Sequence, residues 1–190
     1  MKQSTPTTYP ANDQVITEIK ILISGPVSAG KTTAVSRVCD SEIVKTEAAY
    51  TGRCLDDDKD TTTVAMDYGL CSRFPGHRIH LYGTPGQQRF DFMWDILGKG
   101  MDGIIILINN DQPAPHETLK QFLATFSSLP TVIGVTKMDR DPEPSIGDYR
   151  KMLKKLDASH IPVFNIDSRS RRDVTLLIDN LLPSVDEQRQ

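Results

Sequence analysis

The chain has 190 residues, a formal net charge of −3, 38% hydrophobic residues and 25% charged residues. That length suits about one domain with a full α/β core, held without disulfides or metals. The mildly acidic balance gives no reason to expect nucleic-acid binding, and the cluster Arg169, Arg171 and Arg172 reads as a solvated helix start.

Residues 1–17, rich in Thr, Pro, Gln and Asn, predict a flexible polar leader. The start Met1-Lys2 carries neither a secretory signal nor a myristoylation site. From Glu18 onward, short apolar runs alternate with helical patterns, which predicts βαβ units and a largely parallel sheet. Strands are expected over 18–24, 64–71, 77–82, 103–109, 131–136 and 161–166. Helices are expected over 31–40, 88–98, 115–127, 145–157 and 171–182. The strands 64–71 and 77–82 are joined through Phe74-Pro75-Gly76, too short for a helix, and so form an antiparallel hairpin. The longest apolar run, Ile104 to Ile108, is strand-sized and cannot span a bilayer. Cys39, Cys54 and Cys71 lack metal-ligand spacing; they read as core or surface thiols in a reducing cytoplasm. The expected domain covers 18–183, followed by a short polar tail over 184–190 that ends without a prenylated cysteine. No direct membrane anchor is therefore expected.

Gly25-Pro26-Val27-Ser28-Ala29-Gly30-Lys31-Thr32 matches G-x-x-x-x-G-K-[ST] at every fixed position. A strand precedes it and a helix starting Lys31-Thr32-Thr33 follows it, the context in which the motif cradles phosphates. The glycines let successive N–H groups turn inward, and the helix N-terminus adds its positive end. Lys31 reaches the outer phosphates and Thr32 offers its hydroxyl to magnesium. In parallel sheets ligands sit outside the carboxyl ends of the strands. This loop, 83–87, 109–110, 136–139 and 165–169 all fall at such ends.

Thr136-Lys137-Met138-Asp139 resembles the N/T-K-x-D motif of guanine-nucleotide-binding proteins. The Asp139 carboxylate accepts from guanine N1–H and the 2-amino group, an arrangement adenine does not offer. The Lys137 stem lies on the base face, and the Thr136 hydroxyl tethers where Asn is more usual. Gly83-Thr84-Pro85-Gly86-Gln87 resembles the D-x-x-G-Q motif of small GTPases. There Gly86 offers its N–H to the γ-phosphate and Gln87 orients the attacking water. Gly83 stands where the usual metal-holding Asp would be. Thr61 to Tyr68 resembles the switch threonine leading into a strand, with Thr63 aligned best and Thr62 as fallback; a Thr-rich strand start is the other reading. Thr32 and Thr63 are then the protein ligands of magnesium. Asp167-Ser168-Arg169 stands where an S-A-K-like turn contacts guanine O6, or is a plain strand-to-helix turn.

Together these motifs make residues 18–183 resemble a Ras-like small GTPase, an α/β P-loop NTPase. The resemblance implies a mostly parallel six-stranded sheet with one antiparallel hairpin strand and helices on both faces. Pro85-Gly86-Gln87 and the missing Asp are similar to the prokaryotic gliding-motility (MglA-type) branch. Leu81 to Phe90 is similar to a group of bacterial GTPases near it. The resemblance implies a cytoplasmic, GTP- and GDP-binding switch with Mg²⁺ and slow hydrolysis. It implies roadblock (LC7) proteins as partners that assist hydrolysis. The nucleotide-contacting set it implies is Gly25, Val27, Ser28, Ala29, Gly30, Lys31, Thr32, Thr33, Thr63, Gly86, Thr136, Lys137, Asp139, Ser168 and Arg169. Its catalytic set is Gln87, Lys31 and Arg53.

Val27 takes the loop position that is Gly in Ras-like proteins, and crowding there predicts slow intrinsic turnover unless Pro26 reshapes the backbone. Arg53, in the loop before Thr63, is either a charge-stabilising finger in cis or a solvated arginine. The apolar stretch Phe90 to Leu97 is either core or an effector surface. Two other functions stand beside the switch: a GTP-binding adaptor with negligible hydrolysis, and a P-loop kinase. Against the kinase stand Thr136 to Asp139 and the G-x-P-G-Q run.

Overall fold

Strand-forming runs dominate the middle of the chain, and the computed structural model assembles them into one sheet. It describes residues 16–40, 42–51, 61–84 and 100–189. The strands are β1 (Thr17–Ser24), β2 (Val44–Thr51), β3 (Thr61–Cys71), β4 (His77–Gly83), β5 (Gly103–Asn109), β6 (Thr131–Thr136) and β7 (Val163–Asn165). Their spatial order is β2-β3-β4-β1-β5-β6-β7. β1 pairs parallel with β4 and β5, and β5–β6 and β6–β7 are parallel too. β3 runs antiparallel to β4, the predicted hairpin. Four helices fall among the described residues: α1 (Lys31–Val38), α2 (Pro115–Thr125), α3 (Ile146–Lys155) and α4 (Arg171–Gln188). The helix expected over 88–98 lies outside the described residues, as does nearly all of the 1–17 leader.

The α/β class with a mostly parallel sheet is as expected. The sheet carries one strand more than the six candidates, β2, paired antiparallel with β3. Its sequence, Val-Lys-Thr-Glu-Ala-Ala-Tyr-Thr, is short of large apolar residues and includes Lys45 and Glu47, and so lacks the apolar run that marks the other strands. An edge strand with one neighbour is held through its backbone ladder, so such a sequence suffices.

The sheet separates two apolar clusters, and the period of two along each strand assigns its residues to one or the other. Ile19, Ile21 and Ile23 of β1, with Ile105 and Leu107 of β5, meet α1 and α4. Leu22, with Ile104, Ile106 and Ile108, faces Leu119 and Phe122 of α2 and Tyr149 and Met152 of α3. Every residue of β5 is buried, as expected for a strand covered on both faces.

α4 corrects the expected boundary near 183. It runs through Pro183 to Gln188, so the residues read as a polar tail complete a helix. Leu181, Leu182 and Val185 are buried there. Beyond the proline, Val185 is buried against Gly103 of β5, and its ~1.5–3 kcal/mol offsets much of the ~3 kcal/mol a proline costs inside a helix. Asp186 also meets His77, Oδ1 to Nε2 at 3.3 Å.

Candidate functional site

The loop between β1 and α1 turns on two glycines with positive φ, Gly25 at 146° and Gly30 at 92°. A Cβ on Gly25 would lie 2.0 Å from the Leu107 carbonyl oxygen, and one on Gly30 would lie 2.4 Å from Ser168 Oγ. Neither place has room for a side chain. Gly30 is also the N-cap of α1, with no side-chain cap. The open N–H groups of the first turn therefore face the loop, which makes this end of α1 a seat for an anion.

Lys31 is buried, and its ammonium donates to the carbonyl oxygens of Gly25 and Pro26, each at 2.7 Å. Burial pulls its pKa down from 10.5 to about 8, against the pull of the nearby Asp67 carboxylate. Thr32 hydrogen-bonds through Oγ1 to Asp67 Oδ2. Val27 stands at the loop's rim with 56% of its surface exposed.

The loop after β6 faces the first loop across a cleft of about 640 Å³ lined by Ser28, Ala29, Gly30, Thr33, Lys137 and Asp139 among others. Thr136, buried at the end of β6, shares its hydroxyl proton between the carbonyl oxygens of Ala29 and Ile108, 3.3 Å from each. Lys137 adopts a left-handed backbone (φ 61°) and pairs with Asp111 at 3.2 Å, while Met138 packs half-buried on the second core cluster.

The third wall is the turn after β7. Asp167 and Arg169 pair at 2.8 Å, and the hydrogen bonds from Arg169 hold the Asp167 carboxyl below its ordinary range. Asp173 accepts from the Asp167 backbone N–H and from Ser170, fixing the turn on the start of α4. Ser168 lies directly against Gly30.

Thus Ser28, Ala29, Gly30, Thr33, Thr136, Lys137, Asp139, Ser168 and Arg169 share one cleft. Lys31 and Thr32 adjoin it in α1. Thr63 is elsewhere: only its backbone is described, paired with Ala49 of β2. It lies four residues, ~13 Å along the strand, before Asp67. From the same strand, Asp67 accepts the Thr32 hydroxyl. Arg53, Gly86 and Gln87, and the stretch Phe90 to Leu97, lie outside the described residues.

Two residues of the site lie in segments that the sequence singled out but without a role of their own. Asp67 is one. Asn110 is the other: its amide nitrogen donates to the carbonyl oxygens of Asp141 (2.7 Å) and Pro144 (3.1 Å), and its oxygen accepts from buried Tyr149 at 2.7 Å. Asn110 thereby ties the loop carrying Lys137 and Asp139 to α3. Its place just after β5 was the available signal.

No protein-family model matches the chain. An uncharacterized protein of Methanocaldococcus jannaschii, MJ1339, is 34% identical over 92 residues, 48% of this chain. The chain matches about half (51%) of the length of that relative. Among solved structures, the G domain of the T. maritima FeoB iron transporter superposes with a TM-score of 0.64 at 19% identity, covering 87% of this chain and 98% of that one. The Arl6 BBS3 small GTPase from Trypanosoma brucei, solved with the nucleotide analogue GppNp, gives 0.67 at 12% identity, covering 90% and 99%. The fold is that of a G domain.

Proposed function

We propose that the chain binds GTP and GDP and works as a molecular switch with slow hydrolysis of the γ-phosphate. One observation carries the reading. The phosphate-type loop and the Thr136 to Asp139 loop face each other across one cleft and are joined by the Thr136 hydroxyl. The first seats an anion; the second presents a carboxylate for a base that donates two hydrogens.

In this reading Gly25, Val27, Ser28, Ala29 and Gly30 wrap the phosphates with backbone N–H groups. Lys31 exchanges the carbonyls of Gly25 and Pro26 for phosphate oxygens, and Thr33 lies beside the α-phosphate. Asp139 reads guanine, Lys137 covers its face, and the Ser168-Arg169 turn meets O6. The donors near the outer phosphates are oxygens, the Thr32 hydroxyl and the Asp67 carboxylate. Among the described residues no group of three or more His, Cys, Asp or Glu forms a cage of its own. That set fits Mg²⁺, which binds through few protein oxygens and the substrate's phosphates. The ion supplies neutralisation of charge on the phosphates when it is bound.

Hydrolysis is assigned to Gln87 as the residue that orients water, with Gly86 holding the γ-phosphate and Arg53 as a finger in cis. Thr63 would join the metal shell only after β3 changes its register or the loop before it folds over. Val27, exposed at the rim, supports slow turnover and reliance on a partner. The resemblance to the MglA-type branch makes that partner a roadblock (LC7) protein. Among the described residues no helix is long and apolar enough to cross a membrane.

Calorimetric titration with GDP, GTP and ATP tests the reading. Binding of GDP and GTP with no measurable ATP binding is expected, and a preference for ATP overturns it. Exposed Val27 also favours the adaptor reading, and single-turnover hydrolysis with and without a roadblock protein separates the two.

A further inference from the structure

The end of α1 and the end of β3 bring together two cysteines that the nucleotide reading leaves unused. Cys39 is the C-cap of α1, and its sulfur lies 3.5 Å from that of Cys71, the final residue of β3. Both thiols are free. The approach is built from both sides. Gly69 and Cys71 share one face of β3 by the strand's period of two. A Cβ on Gly69 would lie 2.2 Å from the Cys39 sulfur, so that sulfur sits in the space the glycine leaves open. The flanking chain is fastened as well. The Asp40 N–H donates to the Leu70 carbonyl oxygen at 3.0 Å, and the Asp40 carboxylate accepts from the Ser72 N–H at 2.6 Å and pairs with Arg73. The two sulfurs differ in access: Cys71 is fully buried and Cys39 is half-buried. The Cys71 thiol donates to the Cys39 sulfur, and this hydrogen bond holds the Cys39 thiol below its ordinary range. The same bond, with burial, pushes the Cys71 thiol up. Cys39 is therefore the entry sulfur and Cys71 the resolving one.

We infer that Cys39 and Cys71 are a modification site, at which a low-molecular-weight disulfide of the glutathione class converts the pair to an intrachain disulfide that staples α1 to β3. The Cys39 thiolate attacks one sulfur of the reagent. A mixed disulfide forms, and the small thiolate expelled takes up the proton that Cys39 gave up. Cys71 then loses its proton and attacks the Cys39 sulfur; the mixed disulfide breaks, and the second small thiolate leaves with that proton. In sum the two protein thiols lose two electrons and two protons, and one small disulfide gains them as two small thiols. A reducing pool keeps the pair open and an oxidised one closes it. The new bond joins residues 32 apart in sequence and encloses β2 and β3. Closing that loop restricts the unfolded chain, so the oxidised protein is the more stable form.

The competing role is that of two small apolar side chains filling the core beside Gly69. Full-length folded protein carrying Cys54→Ser is incubated with oxidised glutathione in native buffer and quenched with acid. Its mass should fall by two hydrogens, both thiols should vanish, and peptide mapping should join the Cys39 and Cys71 peptides. The midpoint of thermal unfolding, Tm, should rise by about 5–10 °C. Dithiothreitol should reverse all of these changes. Cys39→Ser in the same background should show neither a bridge nor a Tm shift under the oxidant, and a shift of the same size there overturns the inference. Thiols that stay free under native conditions overturn it, as does a lasting glutathione adduct on Cys39 beside a free Cys71, or a bridge between two chains. A Cys39–Cys71 bridge that leaves Tm unchanged or lower overturns it too. Should Cys54→Ser fail to fold, the wild-type chain decides: a mapped Cys39–Cys71 bridge with the rise in Tm supports the inference, and any other pairing overturns it. Nucleotide binding enters none of these readouts, so the guanine reading and this inference stand or fall separately.

Discussion

Replacing Lys31 by methionine removes a buried cation from the loop between β1 and α1, and the pH dependence of that change can be worked from the structure. The ammonium is buried and its pKa is pulled from 10.5 to about 8. Between those two values the folded protein has released a proton that the unfolded chain still holds. Stability therefore rises with pH across this window, by up to ~1.4 kcal/mol per pH unit. Below pH 8 the lysine is charged in both states and its burial penalty is fully present. Going from pH 7 to pH 10 releases about 2–3 kcal/mol, because the folded group is then neutral while most of the unfolded population remains protonated. Urea unfolding of the nucleotide-free protein in EDTA, at one-unit steps from pH 7 to pH 10, measures this directly. The difference in stability between wild type and Lys31→Met should be flat to pH 8 and then move in favour of wild type. A difference that stays constant across the range refutes the argument. The same proton has a second effect: phosphate restores the reason for Lys31 to be charged, so GDP affinity should fall as pH rises beyond 8.

Three further outcomes are expected. Asp139→Asn loses a charged acceptor for two hydrogen bonds at ~1.5–3 kcal/mol each, so calorimetry should show GDP affinity reduced by at least about 100-fold; an unchanged affinity removes Asp139 from base recognition. Val27→Gly clears the rim of the phosphate loop and should raise single-turnover GTP hydrolysis by about tenfold, ~1.4 kcal/mol of barrier; an equal or lower rate shows that Val27 does not limit the chemistry. Tyr149→Phe leaves the buried Asn110 oxygen without its 2.7 Å donor and should cost ~1–3 kcal/mol in urea unfolding, with faster GDP release as the Asp139 loop loosens; release at the wild-type rate would mean the loop does not depend on Asn110.

The parts of the molecule legible in the sequence are those whose signal is local. The β-branched runs of β1, β5 and β6 mark strands buried on both faces, and their ends locate the loops of the cleft. Gly25, Gly30 and Lys31 declare themselves because a phosphate loop requires those residue types at that spacing. Asp67 stands inside the Thr61 to Tyr68 run, but its partners were hidden for the opposite reason. An acidic residue within a strand is ordinary in sequence, and its meaning arises only when the β3–β4 register sets it across from Gly83. Asn110 was similarly obscured, since its partners Asp141, Pro144 and Tyr149 come from two separate segments. β2 was missed because an edge strand can form on backbone pairing alone, and the end of α4 because burial beyond Pro183 depends on β5 lying beneath it.

The Thr136 hydroxyl, held between Ala29 and Ile108, makes the two halves of the cleft mechanically dependent on each other. Under the proposed function, selectivity for the base and residence time of the phosphates then cannot be tuned separately. A change at the base end that shifts β6 would also slacken the loop around Gly30, and a regulator that pries at the phosphate loop would loosen the base. An exchange factor for such a protein could therefore act from either rim of the cleft and still empty the whole of it.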